Sequence, residues 1–422
     1  SSVTDDWWYE RYRMRWWTKT VLSDDISFNT RLVWEFRTYD EPHAQPIAGF
    51  GFEKYDRNMV WDEALFDWFN FNVRNIGGLP LTGVFGRQDI MFGVGWLVLE
   101  GTPLDGSRTV GAFDAARFTY DWTDTNNKID LIYVNRMAES DKFLEPICDK
   151  DRALTEQDEN GAILYLTNTS FKPTQLEAFF IYRNDNPIDR PLTLSNVPPF
   201  WGTDKDTYTF GAAVSGTSGD HWKYRAEGAF QTGRTHDRGM TPPFAVGEKH
   251  DIEAFGVLTN LEYLFKDAHQ NATHVGYEYA SGDDPSSDDN EQFDLLWGEW
   301  PRWSELLIYT YTFETEVSNN TNLHRANIGH KINLSKEWTL TVDYHALWSD
   351  REGQPWRTGA NGINVDGSSE FRGSLVTAWA RYKFSDQLFG HVMGEYFTPG
   401  DYYIDPSGDD AYFVRFNLEY VF

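Results

Sequence analysis

The sequence predicts an all-β chain: one transmembrane antiparallel β-barrel of 18 strands, with about 17 of them visible in these 422 residues. Three observations predict it. The last twelve residues, AYFVRFNLEYVF, place Tyr412, Val414, Phe416, Leu418, Tyr420 and Phe422 on one parity and Arg415, Asn417 and Glu419 on the other. Side chains alternate faces along a strand, so one face is apolar and the other charged, and the chain closes on an aromatic. Aromatics make up 17% of the residues, yet mean hydropathy is −0.57. That combination suits strands with one face in lipid and one in water, ringed by aromatic girdles. The connections alternate between short and long, as periplasmic turns and external loops do.

Period-two segments run the length of the chain. In 7–21, Arg11, Arg13 and Arg15 share a face with Lys19, and Tyr12, Met14 and Trp16 share the other. In 25–39, Phe28, Leu32, Trp34 and Phe36 oppose Asn29, Arg31, Glu35 and Arg37. Candidates follow at 61–74, 80–92 and 111–122, and at 127–138, where Ile129, Leu131 and Tyr133 oppose Asp130 and Arg136. After 160–170 comes 173–184, with Leu176, Ala178, Phe180 and Tyr182 against Gln175, Glu177 and Arg183. After 205–216 comes 220–232, with Trp222, Tyr224, Ala226 and Phe230 against Lys223, Arg225, Glu227 and Gln231. The segments 249–262, 270–281, 321–334, 337–348, 370–384, 387–398 and 411–422 complete the set. Long connections are expected near 40–60, 93–110, 139–159, 185–204, 233–248, 282–320, 349–369 and 399–410.

With the last strand running inward to a periplasmic end, the strand at 7–21 also runs inward. Single-chain bacterial barrels have even strand numbers, so an eighteenth, outward-running strand is expected to precede the sequence. The alternative is that 304–317, SELLIYTYTFETEV, is a barrel strand; it breaks the alternation and is placed in an external loop, as part of a hairpin folded inward. The start, SSVTDD, lacks a basic stretch followed by an apolar one, so the chain reads as mature or incomplete. A single domain over 1–422 is expected, in the bacterial outer membrane.

Net charge is −28, from 37 Lys+Arg against 65 Asp+Glu. Such an acidic chain is a poor nucleic-acid binder. The acids concentrate in 139–159 and 282–305, whereas the predicted lumen face carries Arg13, Arg15, Arg31, Arg37, Arg87, Arg117, Arg136, Arg183, Arg225 and Arg415 against fewer acids, among them Asp89 and Glu227. These twelve are the candidate pore-lining residues. Rings of Arg favour anions, and the guanidinium fork suits carboxylates; the competing reading is a network of wall ion pairs with no specific site. The acidic run DDPSSDDNE (283–291) offers carboxylates for Ca²⁺ but lacks the Gly that shapes an EF-hand-like loop, so a solvated loop is expected, with no cofactor required. Those acids also face divalent cations that bridge lipopolysaccharide, which with lipid is an expected partner. The one cysteine, Cys148, allows no intrachain disulfide. No HExxH, GxSxG or phosphate-loop pattern occurs, so no catalytic or metal residues are assigned and no enzyme is expected. Oligomeric state is not indicated.

Four segments together are similar to the alginate-export family of outer-membrane barrels: FGRQDIMFG (85–93) with GWLVLEGTPLDGSRT (95–109), GEYFTPGDYY (394–403), the terminal strand to Phe422, and DDWWYERYRMRWWTK (5–19), which resembles a second barrel strand. The likeness covers most of the chain. The resemblance implies an 18-stranded barrel whose arginine-rich constriction passes a polyanionic polysaccharide outward, with Arg87 as a lumen arginine. The expected function is a pore for small solutes or anionic oligo- and polysaccharide, with the loops 93–110 and 282–320 folded in as gates. The alternatives are an unselective porin and a structural outer-membrane anchor with cation-binding acidic loops.

Overall fold

The structure is a computed structural model and describes residues 8–39, 44–47, 51–54, 59–100, 113–138, 144, 147, 157–189, 200–201, 204–238, 246–298, 301–310, 320–352, 365–366, 368–405 and 407–422. Seventeen strands form one sheet. They are β1 (Tyr9–Val21), β2 (Ile26–Tyr39), β3 (Met59–Val73), β4 (Leu81–Gln88), β5 (Phe113–Trp122) and β6 (Asn127–Arg136). Next come β7 (Asp158–Asn168), β8 (Gln175–Asn186), β9 (Asp204–Ser218), β10 (Trp222–Arg238), β11 (Val246–Leu264) and β12 (Ala272–Ala280). The last are β13 (Leu323–Asn333), β14 (Trp338–Trp348), β15 (Phe371–Lys383), β16 (Leu388–Pro399) and β17 (Ala411–Tyr420). Every strand pairs antiparallel with its successor, a pure meander. Strands β1 and β17 run in the same direction and do not pair with each other among the described residues. The expected eighteenth strand has no counterpart there.

Burial in this sheet is inverted. On β17, Tyr412, Val414, Phe416, Leu418 and Tyr420 are 56–78% exposed, while Glu35, Asp67 and Asp130 of β2, β3 and β6 are fully buried. A water-soluble sheet would do the reverse, because burying a charge is expensive unless it is paired. A band of exposed apolar side chains opposite a charged, ion-paired face is what a lipid-facing barrel wall requires. The one-residue alternation makes this a property of register: a slip by one would put every charge into lipid.

Two expectations about connections change. The run at 233–248 is not all loop: β10 continues to Arg238 and β11 starts at Val246, leaving 239–245 outside the described residues. The segment 304–317 is no hairpin strand in its described part. Leu306–Thr310 is a single turn of α-helix. Ser304 Oγ accepts from Leu307 N at 3.1 Å, and Glu395 of β16 accepts from Ser304 Oγ (2.7 Å), Glu305 N (2.9 Å) and Leu306 N (2.9 Å). The first amides of a helix have no internal acceptor, and these captured ones favour the turn over a strand. Residues 311–317 lie outside the described residues, as do Cys148 and, apart from residues 157–159, the acids of 139–159.

Candidate functional site

Almost all the chemistry lies on the buried face of the sheet and on segments folded across it. On β1 and β2 the register sets Arg13 opposite Glu35 and Arg11 opposite Arg37. Three guanidiniums therefore share one carboxylate: Arg13 Nε donates to Glu35 at 2.7 Å, Arg37 is 3.1 Å away and Arg11 3.4 Å. Arg15 follows two residues further along the same face of β1. Arg31 is held by Asp67 at 2.8 Å and by both Asp89 oxygens at 3.0 Å, with the Trp68 ring 4.3 Å from its guanidinium carbon.

From β4 to β8 the pairing is closer to one-to-one. Arg87 forks onto Asp114, its direct cross-strand neighbour, at 2.8 and 2.9 Å. Arg117 binds Asp130 at 2.9 Å, and Arg136 binds the opposite Glu159 at 2.8 Å. Arg183 joins Glu159 (3.1 Å) and Asp185 (2.7 Å). Arg225 of β10 lies between Glu227 (2.6 Å) and Glu177 (2.7 Å). Arg415 reaches Glu305 at 2.9 Å and His391 at 3.2 Å. Ten of the twelve residues singled out from the sequence thus lie on this face and Asp89 is in contact with it; Arg87 is a correction to the expected lining, because its cross-strand partner Asp114 alternates with the inward Phe113 and shares the parity of the exposed Phe118. What the sequence reading missed is the matching acids: Asp67, Asp114, Glu159 and Asp185 pair with those arginines, and Glu278 and Glu395 anchor other segments. A signal was present for Asp185, which keeps the parity of Arg183 on the same strand.

A second feature was missed. The buried face is also apolar over β5–β12, where Phe113, Ile132, Val134, Ile163, Tyr165, Phe179, Ile181 and Ile252 point inward. They meet Ile90, Phe92, Trp96, Leu97 and Val98 from one connection and Phe293, Leu295, Leu296 and Trp297 from another. The two connections touch through a bridge between Val98 and Trp297. The indole N–H groups fix both: Trp96 donates to Glu278 at 3.1 Å and Trp297 to Glu159 at 2.9 Å. Asp294 sits against Lys205 (2.7 Å) and Arg183 (4.0 Å). Burial alone would push its carboxyl up, but those two cations hold it well below the usual range. A smaller apolar cluster joins Leu306 and Leu307 to Leu323, Leu347, Leu375 and Phe397. Parts of both long connections expected to fold inward are therefore on the inner face, packed rather than loosely inserted. In 283–291 the acids accept bonds from their own turn, with Asp284 Oδ1 taking Ser286 N (2.9 Å) and Ser286 Oγ (2.6 Å).

A family model described as alginate export matches residues 7–415. No curated protein matches the sequence. Among solved structures the fold is similar to Acinetobacter baumannii OccAB1, with TM-score 0.52 and 9% identity, covering 98% of this chain and 95% of that one. It is similar to Pseudomonas aeruginosa OccD3 (OpdP), with TM-score 0.51 and 10% identity over 99% of this chain and 87% of that one. It also resembles Pseudomonas aeruginosa OccK2 (OpdF) in complex with glucuronate, with TM-score 0.51 and 10% identity over 99% and 92%. At such identities the likeness shows the fold alone.

Proposed function

This chain belongs to the alginate export family and is an outer-membrane pore protein, and on that premise we propose that it passes small solutes and extended anionic oligo- or polysaccharide along the arginine-bearing face of β1–β3. The observation that carries this reading is the shared carboxylate at Glu35. Arg11, Arg13 and Arg37 all reach the one Glu35 carboxylate, while Arg31 bridges Asp67 and Asp89, a concentration of guanidiniums on one part of the face. A guanidinium carries five N–H donors and can exchange carboxylate partners along a moving chain, because Arg stays charged and forks onto each in turn. On this reading selectivity comes from the side where the guanidiniums are concentrated. The in-folded residues 90–98 and 293–297 fill the opposite side and would narrow the passage.

The test is block of single-channel current by a polyuronate. Binding should weaken about tenfold when Arg13 and Arg37 are both replaced by Gln, the loss of one to two charge-assisted contacts. A neutral glucan should not block. Equal block by both polymers, or block unchanged in the double variant, would favour an unselective porin.

A further inference from the structure

Beneath the in-folded segment lies a second site that this passage does not use. It is a cleft of about 260 Å³, roofed by residues 91–93 and walled by Lys128, Tyr165, Thr167, Gln175, Glu177 and Arg225. Each wall residue lies within a few positions of a short turn (123–126, 169–174 or 219–221), so the cleft is at the short-turn end of the buried face. In an outer-membrane barrel that end is periplasmic.

The charges around it are divided. On one side Arg117 (2.8 Å) and the half-exposed Lys128 (3.9 Å) share the carboxylate of Asp130, and Asp121, opposite Lys128 in the register, makes no ion pair with it among the described residues. On the other, Glu177 and Glu227 share Arg225, a surplus anion. The register places Lys128, Thr167 and Glu177 in one row across β6, β7 and β8. With strands about 4.8 Å apart, the two charged residues start about 10 Å apart and can reach toward each other over the cleft. Phe92 stacks on Tyr165 at 4.1 Å and has Arg117 5.3 Å from its centroid, so its ring faces are committed and not offered to a sugar.

We propose that this cleft is a periplasm-facing binding site for a small zwitterion of the amino-acid class, carboxylate toward Lys128 and ammonium toward Glu177. A simple anion would meet the Glu177–Glu227 side unfavourably, and a neutral sugar would leave the loosely held Lys128 and the Glu177–Glu227 pair unanswered. The site rests on the pore reading only for its orientation.

The experiment is calorimetric titration of the purified full chain with γ-aminobutyrate, butyrate, butylammonium and D-glucuronate. The zwitterion should bind about tenfold tighter than either single-charge analogue, the worth of one charge-assisted contact. Lys128→Gln, a change at a half-exposed side chain, should remove its advantage over butylammonium. Glu177→Gln should remove its advantage over butyrate. Equal binding of all four probes, tighter binding of D-glucuronate, or a zwitterion preference that survives Lys128→Gln would overturn the proposal. Conductance of the same preparation separates the two readings: a conducting barrel with no zwitterion preference loses the cleft and keeps the pore.

Discussion

At the scale of single residues, Arg183 shows what holds the interior. It is 3% exposed and ties Glu159 and Asp185 of the sheet to Leu296 and Asp294 of the in-folded segment. Arg183→Ala would leave buried carboxylates short of their partner, a loss of about 3–5 kcal/mol that urea unfolding in detergent would register. Asp294 adds a pH dependence whose sign is fixed. Its folded pKa lies below the unfolded one, so its contribution is complete above about pH 4 and is lost as pH falls through the depressed folded value. Stability and conductance should therefore show no step from Asp294 between neutral and mildly acidic pH, and Asp294→Asn should destabilise at neutral pH but not in strong acid. The arginines were legible because most occupy the polar parity of an alternating strand. Their acids were harder to see, because a partner is set by cross-strand register, and register depends on turn geometry that one strand does not record.

At the scale of elements, β6 shows both faces. Leu131 and Tyr133 are 54% and 57% exposed, while Ile132 and Val134 between them are buried. Leu131→Arg would place a charge in the lipid band and cost about 2–4 kcal/mol near the midplane. Trp297→Ala, on the in-folded segment, would cost about 3–5 kcal/mol of packing and remove the bond to Glu159, and single-channel conductance should rise while the barrel remains. All seventeen strands were legible, because lipid on one side and polar contacts over much of the other enforce a period of two in most of them. The inward packing was not read, although Ile132, Val134, Ile163, Tyr165, Phe179 and Ile181 made three strands apolar on both faces. That pattern means something apolar lies inside. The turn at Leu306–Thr310 escaped because its β-like composition is outweighed by Ser304 and by Glu395, some 90 residues away.

At the scale of the whole molecule, a net charge of −28 and an arginine-bearing interior are compatible because they occupy different places. Exposed acids such as Asp288, Asp289 and Asp409 lie in connections, and the arginines of β1 and β2 sit on the buried face. Field lines in a low-dielectric channel follow the nearby charges rather than the total, so on the proposed pore reading local guanidiniums would set selectivity. The acidic exterior would slow the approach of a polyanion from outside, which suits outward passage. The most direct measurement is the reversal potential of single channels of the full chain in a planar bilayer under a salt gradient. Discrete conductance with anion selectivity, lost when Arg11, Arg13 and Arg37 are replaced by Gln, is the predicted result. Cation selectivity, or a folded barrel that carries no current, would contradict the account.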